Sequence, residues 1–275
     1  MTGRGRYRSR LARVLVLLVS VLGGQLWQLE GKAMSEGSIG ERFHRETALS
    51  GKSSLGELWR FKPRQPPPDE AHLDTQTIDL PPPDQQGLPV ETAIKNRRSV
   101  RHYSPKPLPL GALSQLLFAA QGTTGHMYGE PLRAAPSAGA LYPFEIYVVA
   151  HNVEALARGL YHFAPNTHQL ELIRAGDLRS LITQVALQQA VVGEADAIFV
   201  LAAVFDRTRR KYGERGFRYV YIEAGHISQN IYLQAVSLGL GSVAVGAFLD
   251  EGLNRLLGID GQSQAAIYLH AVGTL

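Results

Sequence analysis

Apolar residues recur from about residue 110 onward at the spacings of regular secondary structure. Leu110 to Ala120 carries a helical stripe followed by Gly122, a residue suited to end a helix. Phe144 to Ala150 predicts a buried strand. Ala195 to Phe205 is almost continuously apolar, which is typical of a central strand covered on both faces.

The remaining pattern interleaves strands and helices. Two short apolar runs around Pro165-Asn166-Thr167 predict a hairpin. Apolar positions spaced by three and four residues from Ala224 to Leu238 predict a long core helix ending at Gly239. The other expected elements are a helix over 178–189, a strand over 242–248, a helix over 251–257 and a final strand over 265–272. Such helices are dense enough to cover a sheet on two sides.

The first third of the chain has a different character. Residues 35–50 are polar with a weak helical period, and residues 63–89 contain two Pro-Pro-Pro runs typical of an extended connector. This connector either wraps over the main domain or is a plain linker. We therefore divide the chain into a basic and apolar segment (1–33), a Pro-rich extension (34–90) and a main domain (91–275).

Segment 1–33 joins a basic start to an uncharged run, Val14 to Leu29, of about 16 residues. A bilayer span needs roughly 20 residues, so this run is short for one. Three interpretations stay open: a signal peptide, a marginal anchor, or sequence upstream of a misplaced start, with Met34 as the true one. Unless this segment acts as a signal or an anchor, we expect a cytoplasmic protein.

Composition describes a globular chain, with 45% hydrophobic and 19% charged residues. The net charge of +4 arises from five arginines before the first acidic residue, Glu30, so it gives no argument for nucleic-acid binding. The chain contains no cysteine, which excludes disulfides and thiolate catalysis. Scattered histidines lack ligand spacing, and we predict no metal site.

The densest cluster of hydrogen-bond donors is Arg97-Arg98-Ser99-Val100-Arg101. Guanidinium groups offer planar, paired donors that match a phosphate group. A solvated basic turn is the alternative interpretation of these five residues alone.

Three further segments follow in order: Pro136 to Pro143, Glu223 to Asn230, and Gly241 to Phe248. Together with the arginine-serine segment, this ordered set resembles the nitroreductase-like flavoprotein family. It is most similar to the SagB/ThcOx branch, the azoline dehydrogenases of thiazole and oxazole peptide biosynthesis. The resemblance covers about two thirds of the chain. It implies an α+β fold with a central mixed, mostly antiparallel sheet flanked by helices on both sides.

The resemblance also implies a site for flavin mononucleotide (FMN) built from two subunits, and hence a homodimer. Without the resemblance, these residues have ordinary structural explanations. The turn at 136–142 would lead into a strand, Gly246 would be a bulge in a strand, and Gln229 and Asn230 would be buried amides of a helix. The cofactor-binding residues that it implies are Arg97, Arg98, Ser99, Arg101, Pro136, Ser137, Ala138, Gly139, Gln229, Val245 and Gly246.

Lys211 and Tyr212 match a pair that the azoline dehydrogenases link to activity. We place them in a polar loop over 207–218, where arginines could lower the pKa of a lysine that acts as a base. A solvated loop charge is the alternative. One departure concerns the phosphate: many relatives carry another basic residue after the final strand. Here none is found, so that either phosphate binding is weaker or Arg133 or Arg98 replaces this residue.

The resemblance thus implies an FMN-dependent oxidoreductase that oxidises azoline-type heterocycles in peptides to azoles, acting on a peptide or small molecule and partnered by a cyclodehydratase complex. Two alternatives remain: a nicotinamide-dependent nitro, quinone or flavin reductase, and a flavin-binding, non-catalytic subunit of a synthetase complex.

Overall fold

A computed structural model describes residues 39–47, 76–84 and 87–275. The helix α1 (Ile39–Glu46) belongs to a separate compact unit from the rest. The apolar run of segment 1–33 lies outside the described residues. None of the described helices is long and apolar enough to cross a membrane.

The larger unit interleaves strands with helices, as the apolar pattern predicts. In chain order its elements are β1 (Thr77–Asp79), α2 (Val90–Asn96), α3 (Leu110–Gln121), β2 (Thr123–Met127), β3 (Glu130–Arg133), β4 (Phe144–Ala150), β5 (Gly159–Ala164), β6 (Gln169–Ala175), α4 (Arg179–Val185), α5 (Ala190–Glu194), β7 (Ala197–Val204), α6 (Phe205–Tyr212), α7 (Arg215–Ser237), β8 (Leu240–Val245), α8 (Asp250–Leu257) and β9 (Gln264–Thr274).

Seven strands form one sheet in the order β1-β6-β5-β4-β7-β9-β8, and every neighbouring pair in it is antiparallel. Alternate residues of β4 and β7 enter two separate cores. Helices α3 and α7 cover one face, and α4, α5 and α8 cover the other. Because strand side chains alternate between faces, a continuously apolar β7 is what two covered faces require. The predicted α+β fold is confirmed.

Several elements depart from the sequence expectations. The predicted helix over 178–189 ends at Val185, because Leu187 and Gln188 adopt left-handed backbone angles (φ 58° and 60°). The predicted loop over 207–218 was wrong: α6 and the start of α7 occupy it. Arg209 forms ion pairs with Asp206 and Glu214 along the helix surface, while Phe205 and Thr208 are buried.

Two strand pairings had no counterpart in the sequence expectations. The Pro-rich extension supplies β1, which pairs with β6 at the sheet edge. A hairpin of β2 and β3 stands apart from the main sheet and turns at Tyr128-Gly129, where both φ angles are positive (55° and 84°). Such a pair of angles is typical of a tight hairpin turn.

Candidate active site

The arginine-serine segment runs beside the sheet edge at β8. The Val100 N–H donates to the Ser242 carbonyl at 2.9 Å. The ring of Tyr103 lies on the cross-strand pair Gly241 and Gly273, where a Cβ at Gly273 would come within 2.6 Å of the ring. Two facing glycines therefore make room for the ring that holds this segment in place.

Tyr232 of α7 connects this segment to the end of β8. Its hydroxyl accepts the Ala244 N–H at 2.8 Å and lies 3.1 Å from the Ser99 Oγ, so its hydrogen is free to point to that oxygen. The Arg97 guanidinium lies 5.1 Å from the centre of its ring. The buried His270 ring packs edge-on against the same tyrosine at 4.4 Å.

The predicted phosphate-binding residues differ in their surroundings. Arg97 is half-buried against Tyr232, whereas Ser99 and Arg101 are exposed. The Arg98 guanidinium donates to the carbonyls of Lys95 and Arg97 at 3.0 and 2.7 Å, so it caps the end of α2. We define the arginine half-site as Arg97, Ser99, Arg101, Tyr232 and residues 244–246.

Gly246 follows the last residue of β8 and is exposed, while Val245 is buried. A Cβ built on Gly246 would meet only the Tyr268 ring, at an ordinary 3.6 Å. Its backbone is therefore open to a ligand on the side of the arginine half-site.

The second cluster is the turn over 136–142. Gly139, Ala140 and Tyr142 all have positive φ (66°, 53° and 43°), a conformation that costs non-glycine residues energy. The Tyr142 N–H donates to the Ser137 Oγ at 2.9 Å and closes the turn. Strained backbone at three positions of one turn persists only where contacts from the surrounding structure hold the turn in this conformation.

Lys211 and Tyr212 lie in the last turn of α6, directly beside Gly139. A Cβ on Gly139 would come within 2.7 Å of the Lys211 Nζ and 2.8 Å of the Tyr212 hydroxyl. The structure therefore brings the predicted catalytic pair to the predicted flavin turn. We define the turn half-site as residues 136–142 with Lys211, Tyr212 and Glu223.

A charged network anchors this half-site to the sheet. Arg207 donates to the Tyr142 carbonyl at 3.2 Å and contacts Glu145 at 2.5 Å. His162 bridges Glu145 and Glu171 at 2.7 and 3.0 Å. Burial alone would raise the pKa of Glu145, but the hydrogen bond from His162 and the Arg207 charge lower it to about 2. Burial lowers the pKa of His162, but its two carboxylate partners outweigh burial and raise it.

Glu223 of α7 is a buried carboxyl that the sequence patterns did not single out as a site residue. Its side chain is only 2% exposed. The Ser137 hydroxyl donates to its Oε2 at 2.6 Å, and the Gln121 amide donates to its Oε1 at 3.4 Å. Burial raises the pKa of Glu223 to about 7, against the opposing effects of these hydrogen bonds and the Arg133 charge.

The two half-sites lie on opposite flanks of α7. Glu223 and Tyr232 are nine residues apart, which is about two and a half helical turns and places them about 180° apart. Between the flanks, on the side away from the core, the helix exposes Ile222, His226 and the predicted Gln229. The neighbouring Asn230 is half-buried and donates to the Ala119 carbonyl at 3.0 Å.

The donors present suit a phosphorylated planar cofactor. Guanidinium and hydroxyl groups of the arginine half-site are suited to a phosphate. The exposed backbone at Gly139 and Gly246 permits close approach of a flat ring. Among the described residues, no group of three or more His, Asp or Glu side chains could hold a metal ion.

Residues 94–274 match the Nitroreductase family. The chain belongs to the nitroreductase family. A Methanocaldococcus jannaschii protein provisionally named a nitroreductase is 42% identical over 186 residues, which cover 68% of this chain and 91% of that protein. A solved structure from Ralstonia eutropha, also provisionally named a nitroreductase, is 31% identical to this chain with a TM-score of 0.62. The match covers 72% of this chain and 89% of the R. eutropha chain.

Two further matches concern microcin B17. The Escherichia coli microcin B17-processing protein McbC is 27% identical over 150 residues, covering 53% of this chain; the chain spans 55% of that protein. A chain of the E. coli microcin synthetase McbBCD complex, solved with truncated pro-MccB17 bound, shares the fold. The two chains are 22% identical with a TM-score of 0.57, and the match covers 86% of this chain and 92% of the E. coli chain.

Proposed function

We propose that this nitroreductase-family protein is an FMN-dependent oxidoreductase, with Lys211 as the base of the reaction. One observation carries the proposal: Lys211 and Tyr212 meet the Gly139 turn, to which the family resemblance assigns the flavin. The arginine half-site would hold the phosphate through Arg97, Ser99 and Arg101. Arg98 contributes less, since its guanidinium is already engaged by carbonyl groups.

The placement of the half-sites supports a homodimer with shared sites. Because they flank α7 on opposite sides, one chain presents an arginine half to one cofactor and a turn half to another. The exposed face of α7 lies between them and carries Ile222, His226 and Gln229, of which Ile222 is 54% exposed. Pairing two copies along this face would bring the arginine half of one subunit to the turn half of the other.

The chemistry follows from the position of each side chain. FMN, when bound, supplies the two-electron acceptor. The Lys211 Nζ takes the ring proton of the substrate. The Tyr212 hydroxyl, beside the same glycine, orients the lysine or the substrate. The Arg207 network holds α6 and the turn together, so this geometry exists before the substrate arrives.

The similarity to McbC favours an azoline-type heterocycle in a peptide as the substrate, with conversion to an azole as the product. The McbBCD complex with a bound pro-peptide favours a partner complex that includes a cyclodehydratase. The M. jannaschii relative favours a second candidate function, a nicotinamide-dependent nitro, quinone or flavin reductase.

Purification of the protein tests the first part of this proposal. We expect a yellow homodimer that releases the mononucleotide on heating. A colourless protein that cannot be reconstituted with FMN would refute the flavin assignment.

Turnover distinguishes the candidate reactions. The loaded protein is mixed either with an azoline-containing peptide under oxygen or with reduced nicotinamide cofactor and a nitroarene. Azole formation without nicotinamide supports the dehydrogenase. Rapid bleaching of the flavin by the nicotinamide supports the reductase. Absence of both, with stable capture of a cyclodehydratase, supports a non-catalytic subunit.

A further inference from the structure

The hydroxyl of Ser137 has a partner for its hydrogen and a partner for one of its lone pairs. It accepts the Tyr142 N–H at 2.9 Å and donates its hydrogen to Glu223 at 2.6 Å. A serine hydroxyl has one hydrogen and two lone pairs. While Glu223 is ionised, that single hydrogen is held by the carboxylate and points into the protein.

Protonation of Glu223 reverses this hydrogen bond. A neutral carboxyl can donate from Oε2 to the second lone pair of the Ser137 Oγ, and the bond from the Tyr142 N–H is unaffected. The Ser137 hydrogen is then released and can be donated to another acceptor; Ser137 is half-buried, and Gly139 in the same turn is exposed. The protonation state of the buried Glu223 thus determines whether the Ser137 hydroxyl is available as a hydrogen-bond donor to a ligand.

We propose that Glu223 is a positioning residue for the flavin, which controls through Ser137 whether the turn presents a hydrogen-bond donor to the bound ring. This inference rests on the proposed function, because it assumes that the turn faces FMN. It assigns a role to a buried carboxyl that would act only through Ser137.

The surroundings of Glu223 allow its protonation state to change near neutral pH. The group that donates from α3 is the neutral Gln121, and the turn contributes the neutral Ser137. From β3, the Arg133 charge favours the ionised form. Burial opposes ionisation more strongly and brings the pKa of Glu223 to about 7.

The test measures the Kd for FMN of the full-length protein between pH 5.5 and 8.5. The variant Glu223→Gln keeps the size of the side chain and can always donate to Ser137. The phosphate of FMN titrates in the same range, but it does so equally in both proteins and cancels in the ratio of their Kd values. Glu154→Gln makes the same change at an exposed carboxyl and serves as the control.

We expect similar affinities for the wild type and Glu223→Gln at pH 5.5. At pH 8.5 the wild type should bind FMN about three- to tenfold more weakly, the value of one neutral hydrogen bond. The change should centre near pH 7, and Glu154→Gln should follow the wild type throughout. Parallel curves for the wild type and Glu223→Gln would overturn the inference while leaving the flavin assignment intact.

Ser137→Ala provides an independent arm should Glu223→Gln fail to fold. Without the hydroxyl, Kd should lose the part of its pH dependence that separates the wild type from Glu223→Gln. If Ser137→Ala keeps the full wild-type profile, Glu223 does not act through Ser137 and the inference is wrong. If the wild type binds no flavin at any pH, the proposed function fails as well, so the two failures are distinguishable.

Discussion

The two half-sites are held in place by different kinds of contact. The arginine half-site rests on shape: a tyrosine ring on a glycine pair, backbone hydrogen bonds, and Tyr232 packed on His270. Burial lowers the pKa of His270 to about 3, so this ring stays neutral near pH 7. The turn half-site instead rests on ionisable groups, with Glu223 on one side and the Arg207 network on the other.

This difference matches the task proposed for each half. Binding a phosphate requires donors whose position and charge do not change with conditions. Moving a proton next to a redox centre requires groups that exchange protons near neutral pH. Mutations in the arginine half should therefore weaken binding at every pH, whereas those in the turn half should change pH profiles or turnover.

The largest expected effect separates turnover from binding in the turn half. Lys211→Ala should retain FMN with an unchanged spectrum but lose substrate oxidation by about 10²–10⁴-fold, the usual contribution of a general base. Tyr212→Phe should lose less. Arg210→Ala, which removes the adjacent exposed cation, is the matched control and should remain active. Near-normal turnover of Lys211→Ala would shift the assignment to the nicotinamide-dependent reductase, which needs no such base.

In the arginine half, Arg97→Ala and Arg101→Ala should each raise the Kd for FMN about ten- to a hundredfold. A charge-assisted hydrogen bond is worth roughly 1.5–3 kcal/mol, which corresponds to that range. The Kd is measured by titrating FMN with the apoprotein and following the flavin fluorescence. Lys106→Ala, which removes an exposed basic side chain, is the control. Wild-type affinity in both arginine variants would show that the phosphate lies elsewhere.

Stability against pH gives the next comparison. The folded protein holds the Glu223 proton up to a pKa of about 7, against an ordinary value of 4.5, so wild-type stability falls as pH rises through this window. Glu223→Gln has no such proton, and its advantage in unfolding free energy should grow by roughly 2–3 kcal/mol between pH 4.5 and 8. Urea unfolding at several pH values measures it. A constant difference would mean that Glu223 does not titrate there.

The smallest effect concerns the connection between Ser99 and β8. Tyr232→Phe keeps the ring beneath Arg97 but leaves the Ala244 N–H and the Ser99 hydroxyl without their shared partner. We expect a Kd for FMN about two- to tenfold higher, equally at pH 6 and pH 8, since the lost hydrogen bonds involve only hydroxyl groups and a backbone N–H. A strongly pH-dependent loss would break the contrast between the two half-sites.

Much of the fold could be predicted because burial leaves a pattern in the sequence. The continuous apolar run of β7 and the three-four spacing of α7 follow from the faces that they bury. The elements β1, β2 and β3 are short and contain no buried residue, so no apolar run marks them. Helix α6 was missed because its charged surface resembles a loop when its partners are unknown.

The candidate site, like the fold, could be predicted only in part from the sequence. Most residues of the two half-sites were expected from a family resemblance, but Glu223 and Tyr232 were not. Glu223 meets Ser137 across 86 positions, and Tyr232 meets Ser99 across 133. A single buried glutamate or tyrosine on a core helix has no local signal of such a partner, because the pairing depends on how the sheet and helices pack.

The most direct test of the account asks whether each cofactor is shared between two chains. One chain carries Arg97→Ala and Arg101→Ala, the other carries Gly139→Val, and differently tagged copies are co-expressed so that mixed dimers can be purified. Each variant alone should bind FMN weakly. If half-sites of different subunits meet, a mixed dimer combines the intact arginine half of one chain with the intact turn half of the other, and should bind one FMN with wild-type affinity. Mixed dimers as weak as either parent would show that both halves of a site belong to one chain, and would contradict the account.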